Sequence, residues 1–337
     1  MATIADVARH AGVAVSTVSY VLSGKRSVSE ETRRRVEYSI RLLNYHPHAG
    51  ARALASSRSH VLALFVPLRS DLYVPVMMNI AIGVTTTARR FGYDVLLLTS
   101  DEGTAGIKRV ISTARADAVI LTDISMDDDR ITLLRRAGID AVLIGVPASP
   151  EGLDCIDLDF AEAGRMCVQH LGELGHRQVA FIGEAEGVYQ RRAGFAMRTL
   201  SGCAAAAAEH DMDLVHRPCA GSYEAVAGVL ARILEERPRT TGLVVQNEAV
   251  LGPLLGLLRT AGRRVPEDVS IVALCPDQIA EQSAPRLTSV NMPAQELGSG
   301  AVEILMGRMN DGRQPGVTLL EPVLTVRGSS VPMKESR

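Results

Sequence analysis

A chain of 337 residues, 47% hydrophobic and 22% charged, is long enough for two or three domains and has apolar side chains enough for sizeable cores, which excludes global disorder. No apolar run approaches the roughly 18–20 residues of a membrane span, and MATIADVARHAG is charged where a signal peptide is apolar, so a cytoplasmic protein is expected. The net charge of −2 conceals a division: residues 1–60 hold nine Lys/Arg against four acids, and the other 277 hold 27 against 34. A basic N-terminal module on an acidic body suits one part that meets a polyanion and one that does not. A single solvated helix over residues 30–41 would give the same count, so local pattern must decide. Five scattered cysteines (155, 167, 203, 219 and 275), never spaced C-x-x-C, give neither a disulfide framework nor a zinc site.

Thr3-Ile4-Ala5-Asp6 is a capping box, in which the Thr3 hydroxyl caps the amide at Asp6 and the Asp6 carboxylate reaches back. Ile4, Val7, Ala8 and Ala11 follow at helical spacing, and Gly12 stands at a natural stop. A second helix begins at Val15, with Val18, Val21 and Leu22 expected inward. Helix, glycine turn, helix is the helix-turn-helix pattern. Ser29 can cap a third helix whose apolar stripe is Val36, Ile40 and Leu43. The second helix is expected to enter the major groove with its N-terminal residues leading, so Val15, Ser16, Thr17 and Tyr20 are the outward positions. Val15 can touch a thymine methyl, and Ser16 or Thr17 can bond base edges or phosphate. Lys25, Arg33 and Arg34 are phosphate candidates. The alternative is a three-helix module that binds protein.

The segment from Tyr45 to Ala55 has Pro47 ending one element and starting another, then one or two turns of small-residue helix too short to persist alone in water. It is expected to order only on docking. Its one large apolar side chain, Leu54, suits a minor-groove wedge. A plain interdomain linker is the competing reading.

The run T-I-x-D-V-A-x-x-A-G-V-x-x-x-T-V-S, then V-S-x-x-T-R-x-x-V, L-N-Y-x-P and A-R-x-L-A, extends over more than fifty residues. It resembles the DNA-binding headpiece and hinge of the lactose-repressor (LacI/GalR) family. A departure is Ala14, where a serine usually helps cap the recognition helix. The resemblance implies a homodimer on a palindromic double-stranded operator, with paired hinge helices bringing two Leu54 side chains to its centre. Thr3 and Arg52 join the DNA-contacting set on the same ground.

From residue 60 the chain alternates short apolar strands with amphipathic helices. Strands are expected at 61–66, 94–99, 118–122, 141–146, 179–183, 214–219, 242–246, 270–274 and 323–327, with helices between, among them 76–90, 161–174, 223–236 and 249–261. Strands without polar alternation imply parallel sheets covered on both faces, here α/β doubly wound layers in two lobes. Ligands in such folds bind beyond the carboxyl ends of strands. The segments there are 68–73, 122–123, 145–147, 184–191, 221–223, 247–248 and 275–277, so Ser70, Tyr73 and Thr122 are candidates.

LGELGHRQVAFIGE, RRAGF, RVPEDVSIVAL, LTSVNMP and ELG also resemble the effector-binding core of that family, a two-lobed body like the periplasmic sugar-binding proteins. The resemblance implies that Arg191 grips effector hydroxyls or carboxylates, that Tyr223 stacks on the ligand, and that Asn247 bonds it. A planar cation, an aromatic face and an amide suit a sugar; read singly, Arg191 could be a surface ion pair and Tyr223 a core residue. Where the family usually has G-[FY]-D-[DN], this chain has Ala273-Leu274-Cys275-Pro276-Asp277. Cys275 thus replaces an aspartate that commonly bonds sugar hydroxyls, a task for which a thiol is poor; Asp277 is the candidate to compensate. The segment 68–73 also departs from the frequent D-x-S-N-P-F-F. An oligosaccharide or glycoside is therefore expected before a plain monosaccharide, with a non-sugar metabolite as the alternative.

No G-x-x-x-x-G-K-[ST], H-E-x-x-H or G-x-S-x-G is present, and no G-x-G-x-x-G follows the first strand of either lobe. Asp127-Asp128-Asp129 reads as acids at a helix N-terminus before it reads as a metal site, and His10, His46, His48 and His60 lack ligand spacing. No enzyme, cofactor or metal is expected. The expected division is a headpiece at 1–46, hinge at 47–59, body at 60–330 and tail at 331–337. Within the body, lobe one is expected at about 60–160 plus 291–325 and lobe two at about 161–290. With no leucine heptad at the end, a dimer is expected. The sequence reads as an effector-controlled transcriptional repressor; a solute-binding protein, or an α/β enzyme with an added DNA module, are the weaker alternatives.

Overall fold

The structure is a computed structural model, and it describes residues 2–23, 26–45, 58–99, 102–113, 115–312 and 314–333. Three helices, Ile4–Ala11, Val15–Ser23 and Glu30–Leu42, open the chain. The first starts on the Thr3–Asp6 capping box and stops at Gly12, whose φ of 62° suits glycine and whose amide closes the last turn. Ser29 caps the third through the Thr32 amide. Val7, Ala8, Ala11, Val18, Val36 and Tyr45 form the small core; Leu22, expected inward, is exposed. Arg35 ties the third helix to the turn by donating to the carbonyls of Ala11 and Gly12.

The body contains two six-stranded sheets. In chain order the strands are β1 (Val61–Phe65), β2 (Asp94–Leu98), β3 (Ala118–Leu121), β4 (Asp140–Ile144), β5 (Asp154–Leu158), β6 (Gln178–Gly183), β7 (Asp213–Pro218), β8 (Gly242–Val245), β9 (Ser270–Leu274), β10 (Thr288–Val290), β11 (Val317–Leu320) and β12 (Leu324–Thr325). The first sheet runs β11-β5-β4-β3-β1-β2, all parallel; the second runs β12-β10-β9-β8-β6-β7, parallel but for β12 on β10. Helices cover both faces, which is why the central strands read as unbroken apolar runs. In the first lobe Leu62, Leu64 and Ile120 pack on Ile80, Val84 and Leu305, while Ala63, Val119 and Leu121 pack on Ile107 and Leu134. In the second, Ile182 and Val245 face Leu230 and Leu254, while Phe181 and Val244 face Cys167, Leu171 and Cys203.

Strands β5, β10 and β11 were not expected from the sequence. β5 reads D-C-I-D-L, yet all five residues are buried. Arg308 and the Gly316 amide hold Asp154 at its start, and Asp157 faces an internal cavity. β10 is three residues of which two are polar, and β11 is a half-exposed edge strand. One expectation is corrected. The stretch 291–325 does not lie wholly in lobe one, because Leu324 pairs with Val290 and Thr325 with Ser289 in the second sheet. The chain therefore passes between lobes three times, after β5, β10 and β11. Among the described residues no helix is long and apolar enough to cross a membrane.

The helices Val74–Arg90 and Ala294–Asp311 touch backbone to backbone at two glycines. A Cβ on Gly83 would lie 2.2 Å from the Gln295 carbonyl oxygen, and one on Gly298 2.2 Å from that of Ile80. Gly298→Ala is expected to cost about 1–3 kcal/mol through this overlap. Gly307→Ala on the same helix, where a Cβ meets nothing within 4 Å, should be neutral or stabilising by up to about 1 kcal/mol. Urea unfolding of both variants checks the contrast.

Candidate DNA-reading face and effector cleft

The first turn of Val15–Ser23 presents Val15 and Ser16 to solvent, with Thr17 and Tyr20 half-buried beside them. Arg26 sits 5.6 Å from the centre of the Tyr20 ring, a cation–π contact that holds this side chain against the surface. The Thr17 amide bonds the Ala14 carbonyl at 2.9 Å, so backbone starts this helix where Ala14 has no side-chain acceptor. Thr3 is exposed, with its hydroxyl donated to Asp6 at 2.7 Å. Arg33 and Arg34 are exposed, and Arg34 pairs with Glu30 at 3.5 Å. Lys25, Arg52 and Leu54 lie outside the described residues, as does 46–57 altogether.

Where the chain reaches the first lobe it is clamped by one carboxylate. Asp117 accepts from the Ser59 amide at 2.6 Å, the Ser59 hydroxyl at 2.8 Å and the His60 amide at 2.9 Å. His60 adopts φ 55° and packs against Tyr93 with the rings tilted, their centres 5.3 Å apart. Any pull on the preceding segment is thus delivered to the start of β1 and β3.

Between the lobes lies a cavity of about 80 Å³. Its apolar walls include Tyr73, Ile80, Phe160, Phe195 and Leu274. Its polar lining is Asp71, Thr122, Asp123, Asp157, Glu184, Gln246 and Glu248. Arg191, from the second lobe, crosses to Asp71 at 2.5 Å and to Asp123 at 3.6 Å. Arg69 also pairs with Asp123. Backbone closes the seam: Gly194 donates to the Ile124 carbonyl and Met126 to that of Arg192, both at 2.8 Å.

Of the eight effector residues expected from sequence, Tyr73 and Thr122 line this cavity and Arg191 bars its rim. Thr122 donates its hydroxyl to the Phe65 carbonyl at 2.9 Å. Ser70 is exposed, and Tyr223 is 59% exposed at the start of its helix; neither reaches the cavity. Asn247 caps the following helix, accepting from Ala249 at 3.1 Å and donating to the Cys219 carbonyl at 2.9 Å. Its neighbours Gln246 and Glu248 turn inward instead. Cys275 is fully buried outside the cavity lining, its thiol pushed up to about 12 by burial. Asp277 pairs with Arg327 at 2.7 Å, away from the cavity.

The carboxylates are the part that residue-by-residue reading left unselected. Asp71, Asp123, Glu184 and Glu248 all lie in the post-strand segments singled out by fold logic. Asp157 was missed because its strand was. Burial pushes Asp157 and Glu248 up to about 7. Burial, with the charges of Glu248 and Asp71, holds Glu184 well above the carboxylate range. Burial and Glu248 likewise raise Tyr73. Among the described residues no cluster of side chains is arranged to hold a metal ion.

Residues 3–48 match the family of bacterial regulatory proteins, lacI family, and residues 168–330 match the periplasmic binding protein-like domain. The HTH-type transcriptional regulator CelR of Thermobifida fusca is 31% identical over 342 residues, covering 97% of this chain and 98% of that one. The chain belongs to the lacI family of transcriptional regulators. Two solved structures resemble this regulator over nearly its whole length. A CelR–cellobiose complex, 27% identical, has a TM-score of 0.71 over 98% of this chain and 100% of its own. A Lac repressor dimer bound to operator and the anti-inducer ONPF, 23% identical and thus a likeness of fold, has a TM-score of 0.83 over 98% and 99%.

The acids make a pH prediction. A carboxyl whose folded pKa is raised stabilises the fold while protonated, and that contribution is lost as pH rises through the folded value. The contribution of Asp157 and Glu248 to the stability of the unliganded regulator should therefore fall between about pH 4, where an unfolded carboxyl ionises, and their folded value of about 7. Burial lowers His170, His176 and His216, which act in the opposite sense below about pH 6.5, so the contribution is read as a difference. The urea midpoint of Glu248→Gln relative to wild type should rise with pH across this range, and a difference that stays constant would contradict the assignment.

Proposed function

We propose that this regulator represses transcription as a cytoplasmic homodimer on a palindromic operator. A small polar effector, carbohydrate-like in its hydroxyl groups, enters the cleft and sets operator affinity by binding rather than catalysis. The observation that carries the reading is one chain joining a helix-turn-helix face to a cleft with aromatic walls and buried polar groups. Val15, Ser16, Thr17 and Tyr20 would read base edges. Thr3, Lys25, Arg33, Arg34 and Arg52 would hold the phosphates, and Leu54 would wedge the minor groove. Two copies need a shared face. Val74, Met78 and Ile82, exposed at i, i+4 and i+8 on one helix, supply an apolar stripe on the first lobe that supports the dimer.

The cavity is small beside ligand pockets of roughly 300–1,000 Å³, so a sugar must part the lobes and break or bypass the Arg191–Asp71 pair. A changed angle between the lobes moves the Asp117 clamp and, in a dimer, the spacing of the two hinges. The effector must bind the open and closed forms with different affinity, and coupling of about 1–3 kcal/mol gives a useful switch.

Deleting residues 1–58 should abolish operator binding in a fluorescence-anisotropy titration; retained affinity would refute the reading. Leu54→Ala should lower specific affinity at least tenfold. Arg34→Ala should instead weaken specific and random sequences alike and reduce the salt dependence by about one ion. Arg191→Ala should keep operator binding and lose the effector response, read as release of labelled operator while sugars and glycosides are titrated.

A further inference from the structure

The polar groups of the cleft are mismatched in kind. Five carboxylates reach the cavity. The two guanidinium groups that face them, Arg69 and Arg191, are both engaged with Asp71 and Asp123. Arg130 is turned to Asp128 and to the carbonyls of Thr122 and Asp123. Arg198 is turned to those of Val146 and Pro147. Asp157, Glu184 and Glu248 have no ion-pair partner among the described residues. Among the described residues three buried lining atoms also lack a hydrogen-bond partner, Asp123 Oδ1, Asp157 Oδ2 and Gln246 Oε1, and at the rim Arg191 Nε is the one donor that does. All three lining atoms are acceptors. Asp157 spends its other oxygen on the Leu158 amide, and Gln246 spends its amide nitrogen on Thr199.

Buried acceptors without donors are costly, and buried like charges more so. A ligand that fills this cavity must therefore bring donors. Hydroxyls alone would satisfy Asp123, Asp157 and Gln246. They would leave Glu184 beside Glu248 with no positive charge to offset either. Around that pair stand Asp71, Asp123 and Arg191 on Glu184, and Tyr73 and Cys275 against Glu248. Arg191 is the one cation among them, and it is held by Asp71. Burial keeps Asp157, Glu184 and Glu248 largely protonated until a ligand enters; a cation is the ligand charge that lets them ionise, and an anion would oppose it.

We propose that the effector is a cation, a sugar or glycoside bearing a protonated amine. Its ammonium sits against Glu184 and Glu248, and its hydroxyls donate to Asp123, Asp157 and Gln246. This rests on the reading above that an effector binds in the cleft, and it names that effector's class. Specificity for the amine then comes from two carboxylates that a neutral sugar leaves uncompensated.

The test is isothermal titration of the full-length protein at pH 6.5 with sugars matched in shape and different in charge. The sets are glucosamine, glucose and glucuronate, and the β-1,4-linked glucosamine dimer, its N-acetylated form and cellobiose. The amine member of each set should bind at least tenfold more tightly than its neutral counterpart. N-acetylation should remove the gain, glucuronate should not bind, and raising salt should narrow the difference. In Glu248→Gln and Glu184→Gln, each checked by its melting transition, the preference for the amine should shrink to threefold or less. Equal or tighter binding of glucose or cellobiose by the wild-type protein overturns the assignment of charge while leaving a carbohydrate effector standing. Binding of no sugar at millimolar concentration overturns both. The wild-type comparison needs no variant, so a glutamine substitution that fails to fold does not protect the proposal.

Discussion

Beside the apolar packing of Leu158 and Leu320 against the second lobe, a few polar contacts join the lobes directly. Ser125 lies beside Ala193, the Met126 amide reaches Arg192, and the Gly194 amide reaches Ile124. Arg191, Arg192 and Arg198 then cross to Asp71, Asp127 and the carbonyls of Val146 and Pro147. A net hydrogen bond is worth about 0.5–1.5 kcal/mol, so these contacts together hold by a few kcal/mol. That is the scale on which a ligand can shift a two-state equilibrium.

Both sides of the seam carry backbone that side chains avoid. Asp123, at φ 51°, follows β3, and Arg192, at φ 54°, stands opposite it. Left-handed backbone at such residues is unfavourable and persists where the surroundings demand it. Here the demand is directional. The turn at Asp123 puts its carboxylate into the cavity and aims the Ile124 carbonyl at Gly194 of the second lobe; the turn at Arg192 frees its carbonyl for Met126. Both turns therefore join the lobes, and the first also places a charge in the cleft.

Local chemistry was legible where sequence neighbours determine it. The Thr3 box, the Gly12 stop and the Ser29 cap are made within a few residues, and the central strands are marked by burial on both faces. What failed needed partners distant in sequence. β5 carries two aspartates that look exposed until Arg308 and Gly316 arrive from the other end of the chain. β12 falls inside the strand expected at 323–327, but it is two residues long and its place in the second lobe is defined only by β10. In the cleft, fold logic found the right segments beyond the strands, but the family resemblance pointed to Asn247 and Tyr223. The first is consumed by its own helix cap and the second points to solvent. Which of two adjacent polar residues turns inward depends on where the following helix begins, and that is settled by packing.

The cysteine at 275 becomes intelligible beside its neighbours in the sheet. β9, β8 and β6 are adjacent, and each ends near the cleft. Beyond β9, where family members commonly place an aspartate, this chain has a buried thiol that burial keeps protonated and a distant Asp277 held by Arg327. Beyond β8 and β6 it has Glu248 and Glu184, both lining the cavity. On this sheet edge the acids that reach the cavity are thus those beyond β8 and β6, not one beyond β9. A lone acid in a cleft can be neutralised by an arginine and still accept hydroxyls. Two buried acids on one cavity wall, with Arg191 already held by Asp71, stay largely protonated until a cation arrives to let them ionise.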